Sequence, residues 1–214
     1  MFGRRISAKL GIAASLALVL LLTPAVSSAS PISRATFHDT MRKLWEDHVT
    51  WTRLFIISAA AGLPDQNVTT QRLLQNQTDI GNAVAEFYGR AAGDQLTSLL
   101  KDHILIAANI VTAAKAGDNA KVASENARWH QNADQIAEFL HGANPKNWPL
   151  ATMQSAMNMH LQQTLDEATH RLKGDYASDV NDYDAVVNHI LGMADVLSNG
   201  IIAQFPAKFS APGS

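Results

Sequence analysis

Five clusters of helix-breaking residues divide this chain into six segments of helical periodicity, and no alternating run of β-branched residues lies between them. The breakers are "GLPD" (62–65), Gly89, "KAGD" (115–118), "HGANP" (141–145) and Gly174. Glycine closes a helix because it accepts the left-handed conformation, and a following Asp or Ser satisfies the first free N–H groups of the next one. The spacing predicts helices over roughly 37–61, 68–88, 95–116, 119–142, 149–173 and 179–200, with Thr36, Asp94, Asp118 and Ser178 or Asp179 as caps. Such a chain is expected to fold as an all-α bundle of about six helices.

The apolar stripes carry polar residues at their centres. Phe37, Met41, Leu44, His48, Trp51 and Phe55 fall on one helical face, and Leu96, Leu99, His103, Ile106, Ile110 and Ala114 fall on another. A stripe of that width must be covered by other helices, so both histidines are aimed inward. His48, His103 and His160 stand 55 and 57 residues apart, and Asn76, His130 and His189 follow them by 28, 27 and 29 residues. "DIGNAVAEFYG" and "DQIAEFLHG" echo one another in the second helices of two pairs, and "HILGMADVL" is a looser match. The pattern predicts three αα-hairpin repeats of roughly 56 residues, stacked in one bundle.

Residues 1–29 read as a signal peptide rather than as part of the fold. Arg4, Arg5 and Lys9 precede an apolar run from Leu10 to Leu22, and Ser27 and Ala29 suit a cut after Ala29. The run is shorter than a membrane span of about 20 residues, so no stable span is expected after cleavage. Ser7 and Ala8 stand where a twin-arginine signal needs bulky apolar residues, which favours the general secretory route. With no cysteine in the chain, a lipid-anchored lipoprotein is excluded. Residues 30–214 are then a single exported domain, periplasmic or extracellular, that must hold its fold without disulfides.

Cleavage removes three of the 17 basic residues and none of the 19 acidic ones, leaving 14 against 19 and a net charge of −5. Nucleic-acid binding needs clustered Lys and Arg to neutralise phosphates, so a nucleic-acid partner is not expected.

The inward polar residues admit two readings. In the first, the bundle holds a metal ion or small ligand on imidazole and carboxylate groups from facing helices. The candidate metal ligands are His48, His103, His130, His160, His189, Asp79, Asp102, Asp134 and Glu167. Histidine with methionine leans toward copper, and histidine with Asp and Glu toward zinc, iron or manganese. "EATH" (167–170) has the Glu-x-x-His spacing of di-iron bundles, but it occurs once where two copies are needed. In the second reading the same residues satisfy one another and fix which helix meets which. The methionines read as gap-filling core rather than as a copper ladder. Trp45, Trp51 and Trp129 read as core, Trp148 as a staple under a loop, and Glu46 with Arg53 as a surface ion-pair network.

No catalytic residue is assigned. The chain has no phosphate-binding Gly-rich loop, no dinucleotide fingerprint, no nucleophile elbow and no His-Glu-x-x-His. The segments "LWEDHVTWTR", "RLLQNQTDIGNAVAEFYG", "LLKDHILIAANIVTAAKAGD", "NADQIAEFL" and "ILGMADVLSNGIIAQFP" resemble a family of small helical bacterial proteins, many from spore-forming and soil bacteria. The likeness spans roughly residues 44–209 and implies an all-helical fold with no settled activity. Members are loosely labelled acetylglutamate kinase or glycosyltransferase, labels for which this sequence carries no nucleotide-binding motif. The resemblance directs attention to Glu46, His48, Asn76, Asp79, Asp102, His103, Asn132 and Asp134 without giving them roles. The sequence therefore leads to an exported bundle that binds a metal ion or small ligand in a His/Asp/Asn interior, or else to a structural or partner-binding bundle.

Overall fold

All six predicted segments are helices in the structure, a computed structural model that describes Met1 and residues 31–210. They are α1 (Arg34–Ala61), α2 (Gln66–Tyr88), α3 (Arg90–Ala116), α4 (Asn119–Ala143), α5 (Leu150–Lys173) and α6 (Tyr176–Gln204), followed by a short 3-10 turn at Pro206–Lys208. Among the described residues there are no strands; Ile32 and Phe209 share an isolated bridge that ties the two ends of this stretch together. But for Met1, the signal-peptide reading of residues 1–29 falls outside the described residues.

Three helix ends differ from expectation, each for a local reason. Helix α1 is capped by Ser33, whose side chain accepts from the N–H of Thr36, so Thr36 lies inside the helix. Helix α3 starts at Arg90, directly after Gly89, and Asp94 serves in an exposed ion pair to Arg90 at 3.0 Å instead of as a cap. Helix α6 is capped by Asp175 and runs through Gly200 to Gln204. Gly200 does not terminate that helix. It gives Trp148 room: a Cβ there would stand 2.1 Å from the indole Nε1.

The connections are short, so successive helices run antiparallel. Each helix packs on its chain neighbours, and α6 closes onto α1, making a ring. Helices α1, α3 and α5 also touch one another across the middle. The odd-numbered helices are thus the inner triad, and they are the ones carrying His48, His103 and His160. Helices α2 and α3 come especially close near their shared turn. Gly81 and Gly93 face each other there, and a Cβ on either would meet the other's carbonyl oxygen within 2.6 Å.

Helices α3 and α6 are long and apolar enough by composition to cross a membrane, and here both lie in the ring against their neighbours. One end of the main core is aromatic: Phe37 stands 5.0 Å from Phe87 and 5.2 Å from Phe209, ring centre to ring centre. Burying rings of this size contributes a few kcal/mol each, which lets the fold form without cross-links.

Candidate functional site

The inner helices deliver three imidazoles to one place. The ring of His160 on α5 lies 5.7 Å from His48 on α1 and 6.2 Å from His103 on α3. His189 on α6 also stacks on His160, at 6.4 Å. His48, His103 and His160 are buried, at 3%, 2% and 4% exposure, so little water reaches them. His189 is half-buried. Trp45 meets His48 edge-on at 5.7 Å, and Trp129 lies 5.1 Å from His103.

One contact recurs in each hairpin and sets the height of these rings. Asn76 donates to the carbonyl of Leu44, Asn132 to that of Leu99, and His189 to that of Ala156, at 3.0, 3.0 and 2.9 Å. The partners are 32, 33 and 33 residues apart. Each acceptor lies four residues before an inner histidine, so its carbonyl also takes that histidine's own N–H within the helix. The outer helix is thereby pinned to the turn that holds the ring. Sequence spacing had paired His130 with His103. The structure gives that place to Asn132, and His130 is exposed, bonded to Asn158 at 2.8 Å.

The hydrogen bonds fix ring chemistry as well as position. Asn132 uses its amide nitrogen on Leu99, so its oxygen faces His103 Nδ1 at 2.7 Å. An oxygen acceptor requires Nδ1 to carry the proton, leaving a bare lone pair on Nε2. That Nε2 is buried without a partner in the protein, as are Nδ1 of His48, Nδ1 of His160 and the indole nitrogens of Trp45 and Trp129. The Gln77 amide lies near enough to His48 to favour its protonation, but no hydrogen bond of ordinary geometry joins them and Gln77 Oε1 is itself unpartnered. Each unpaired buried group costs about 1–3 kcal/mol. These six groups together cost about as much as the net stability of a typical domain. A cluster of this kind calls for something that satisfies it.

Burial also keeps the rings neutral. Loss of solvent, with His103 nearby, lowers His48 to about 3. Desolvation lowers His103 to about 4, against the favourable bond to Asn132. His160 is held well below the usual imidazole range by burial and then by its histidine neighbours. Neutral imidazole is the form that binds a metal ion.

The geometry stops short of a closed metal site. A tetrahedral ion about 2.0–2.1 Å from each nitrogen needs ring centres about 5 Å apart. Among the described residues no three His, Asp or Glu side chains stand in a metal-holding arrangement. His160 would have to approach each neighbour by about 1 Å to complete such a site.

The predicted carboxylates lie elsewhere. Asp79 accepts from Gln75, and Asp134 accepts from Gln154. Asp102 is exposed on the wall of a polar groove between α3 and α4. Glu167, at 1% exposure, belongs to a second buried polar centre. Arg53 spans Glu167 at 2.8 Å and Asp179 at 2.9 Å, Arg171 reaches Asp179 at 3.3 Å, and the Tyr183 ring lies under the Arg53 guanidinium at 4.6 Å. Arg53 is therefore not part of a surface network with Glu46, because its position on α1 faces the α5–α6 turn. The "EATH" pair divides in the same way: Glu167 goes to Arg53, and His170 goes to Asp182 at 2.6 Å.

No protein-family model, curated protein or solved structure matches the chain. Two of the cluster's four histidines, His48 and His103, interrupt apolar stripes in the sequence. Asn132 stands among the residues marked by the resemblance, and its spacing of 29 from His103 matches those of the other two hairpins.

Proposed function

We propose that this protein is an exported helical bundle that binds a transition-metal ion in its interior through His48, His103 and His160, with His189 beside them. The observation that carries the reading is the set of unpartnered imidazole nitrogens, one from each inner helix, in rings that burial keeps neutral. Asn132 supports it further, because a ring that donates Nδ1–H to an oxygen and frees Nε2 has the orientation that metal-bound histidines adopt. Imidazole-rich sites of this kind suit zinc, copper or iron. The basic and apolar run in residues 4–22 supports export. The threefold recurrence of the outer-to-inner hydrogen bond supports descent from a repeated hairpin, with one ligand supplied per repeat.

A second reading has the cluster as a structural core with no ligand, and the ring spacing favours it: no three side chains among the described residues already hold an ion's geometry. Elemental analysis of untagged protein, followed by thermal melts with zinc, copper(II), iron(II) and manganese(II), separates the two. The metal reading expects close to one equivalent of one ion and a rise in melting temperature that is lost in His160→Gln. Less than a tenth of an equivalent of every ion, with no shift in any melt, overturns it and leaves the structural core.

A further inference from the structure

A cavity of about 300 Å³ opens between α5 and α6, beside the imidazole cluster. Its walls include Met153, Ala156, His189, Gly192, Met193 and Leu197. Met153 and Met193 are buried, at 4% and 7% exposure, so both thioethers lie in the core, as gap-filling methionines do. Here, however, they share a lining with an imidazole. Gly192 leaves the cavity wide, since a Cβ built there meets nothing within 4 Å.

His189 is oriented for this cavity by the bond already described. Its Nε2 lies 2.9 Å from the Ala156 carbonyl, and a carbonyl only accepts, so Nε2 carries the proton. In the neutral ring the lone pair is then on Nδ1, which no hydrogen bond among the described residues engages. The same ring stacks on His160 at 6.4 Å and 17°. The groups with lone pairs to offer on this largely apolar wall are two thioethers and one imidazole, together with the neutral oxygens of Thr152 and Asn188, and no carboxylate lines it.

That donor set has a definite preference. A hard divalent ion keeps its water and seeks oxygen, whereas thioether sulfur with imidazole suits a soft d¹⁰ ion of single charge that tolerates few ligands and an apolar surround. We propose that the α5–α6 cavity captures copper(I) on Met153, Met193 and His189, next to the interior imidazoles, and so is the port by which the metal reaches them. The proposal rests on the metal-binding reading above and specifies its ion and its route.

The test titrates untagged protein with silver(I), the redox-silent stand-in for copper(I), and separately with zinc(II), following the methionine methyl signals by NMR. One equivalent of silver(I) is expected to shift the Met153 and Met193 methyls. The double variant M153L/M193L, which conserves volume, is expected to bind silver(I) at least tenfold more weakly and to keep its zinc(II) response. Gly192→Leu, which fills the cavity and leaves all three donors in place, is expected to weaken silver(I) binding as well. Silver(I) binding that survives both variants unchanged overturns the proposal. Failure to bind silver(I) overturns the proposal, and the interior site falls with it only if zinc(II), copper(II), iron(II) and manganese(II) all fail as well.

Discussion

His103 donates its Nδ1–H to Oδ1 of Asn132 across 2.7 Å, while the amide nitrogen of Asn132 holds the carbonyl of Leu99 at 3.0 Å. One side chain therefore sets both the tautomer of a buried ring and the register of α4 against α3. Asn132→Leu keeps the shape but leaves the Nδ1–H and a carbonyl lone pair unanswered. The expected loss is about 1–3 kcal/mol in urea denaturation. Nitrogen-15 NMR of the wild type is expected to show His103 protonated at Nδ1 only; a ring exchanging between tautomers would contradict the orientation drawn here.

Stability should fall as the solution is acidified below neutrality. His48 and His103 titrate at about 3 and about 4 in the folded protein, and His160 well below its ordinary value, against 6.5 for a free ring. Below pH 6.5 the unfolded chain takes up these protons and the folded chain does not, so each ring costs stability at about 1.4 kcal/mol per pH unit. Glu167 acts the other way. Burial raises it to about 7 against the opposing bond to Arg53, so the folded state holds its proton from pH 7 down to 4.5 and gains stability there. His170, raised chiefly by its bond to Asp182, adds stability that is complete once pH is below 6.5 and does not change further. Three rings against one carboxyl leave an excess of about two protons taken up on unfolding between pH 6.5 and 4.5. The midpoint of chemical denaturation is expected to drop steadily over that window, and His160→Leu is expected to flatten the drop.

The fold was legible because its signals are local. Breakers such as Gly62, Gly117 and Gly174 adopt left-handed conformations at the ends of α1, α3 and α5, as their sequence context requires. Sequence misread Gly200 because a glycine needed for space and a glycine needed for a turn are the same letter. Half the site was legible for the same local reason: His48 and His103 interrupt apolar stripes. What could not be read was depth around a helix. His130 and Asn132 are two residues apart, and only the three-dimensional register shows that Asn132 faces inward at 4% exposure while His130 faces water. Arg53 was hidden by the same limitation, since its partners Glu167 and Asp179 come from helices more than 100 residues away.

The Arg53 centre should be sensitive to loss of the cation rather than of either acid. Glu167 and Asp179 are each 1% exposed, and Arg53 bridges them. Arg53→Met leaves Glu167 without its ion-pair partner, while Asp179 keeps Arg171 at 3.3 Å. A buried charge stripped of its partner costs about 3–5 kcal/mol. At about pH 9, above the value of about 7 to which burial raises Glu167, that loss is expected for Arg53→Met in guanidinium denaturation, and adding Glu167→Gln to the same chain should restore part of it by removing the stranded charge. A double variant no more stable than Arg53→Met alone would mean that the guanidinium acts mainly through its stacking on Tyr183.

Trp148 and Gly200 form a contact that can be tested by exchanging volume across it. The indole is 1% exposed, its Nε1–H is donated to the carbonyl of Val196 at 3.2 Å, and its ring edge occupies the space where a Cβ of residue 200 would stand. In helix propensity alone, Gly200→Ala should stabilise α6 by about 1 kcal/mol. Overpacking against a rigid indole opposes that gain at about 1–3 kcal/mol or more, because the ring is enclosed and cannot rotate away. The second effect is the larger, so Gly200→Ala is expected to lower the melting temperature. Trp148→Phe alone loses the hydrogen bond and leaves a gap beside residue 200, and should also destabilise. Together the smaller ring makes room for the methyl group, so the double variant G200A/W148F is expected to lose less than the sum of the two single changes. Additive losses would show that the glycine is needed at this position for some property other than its size.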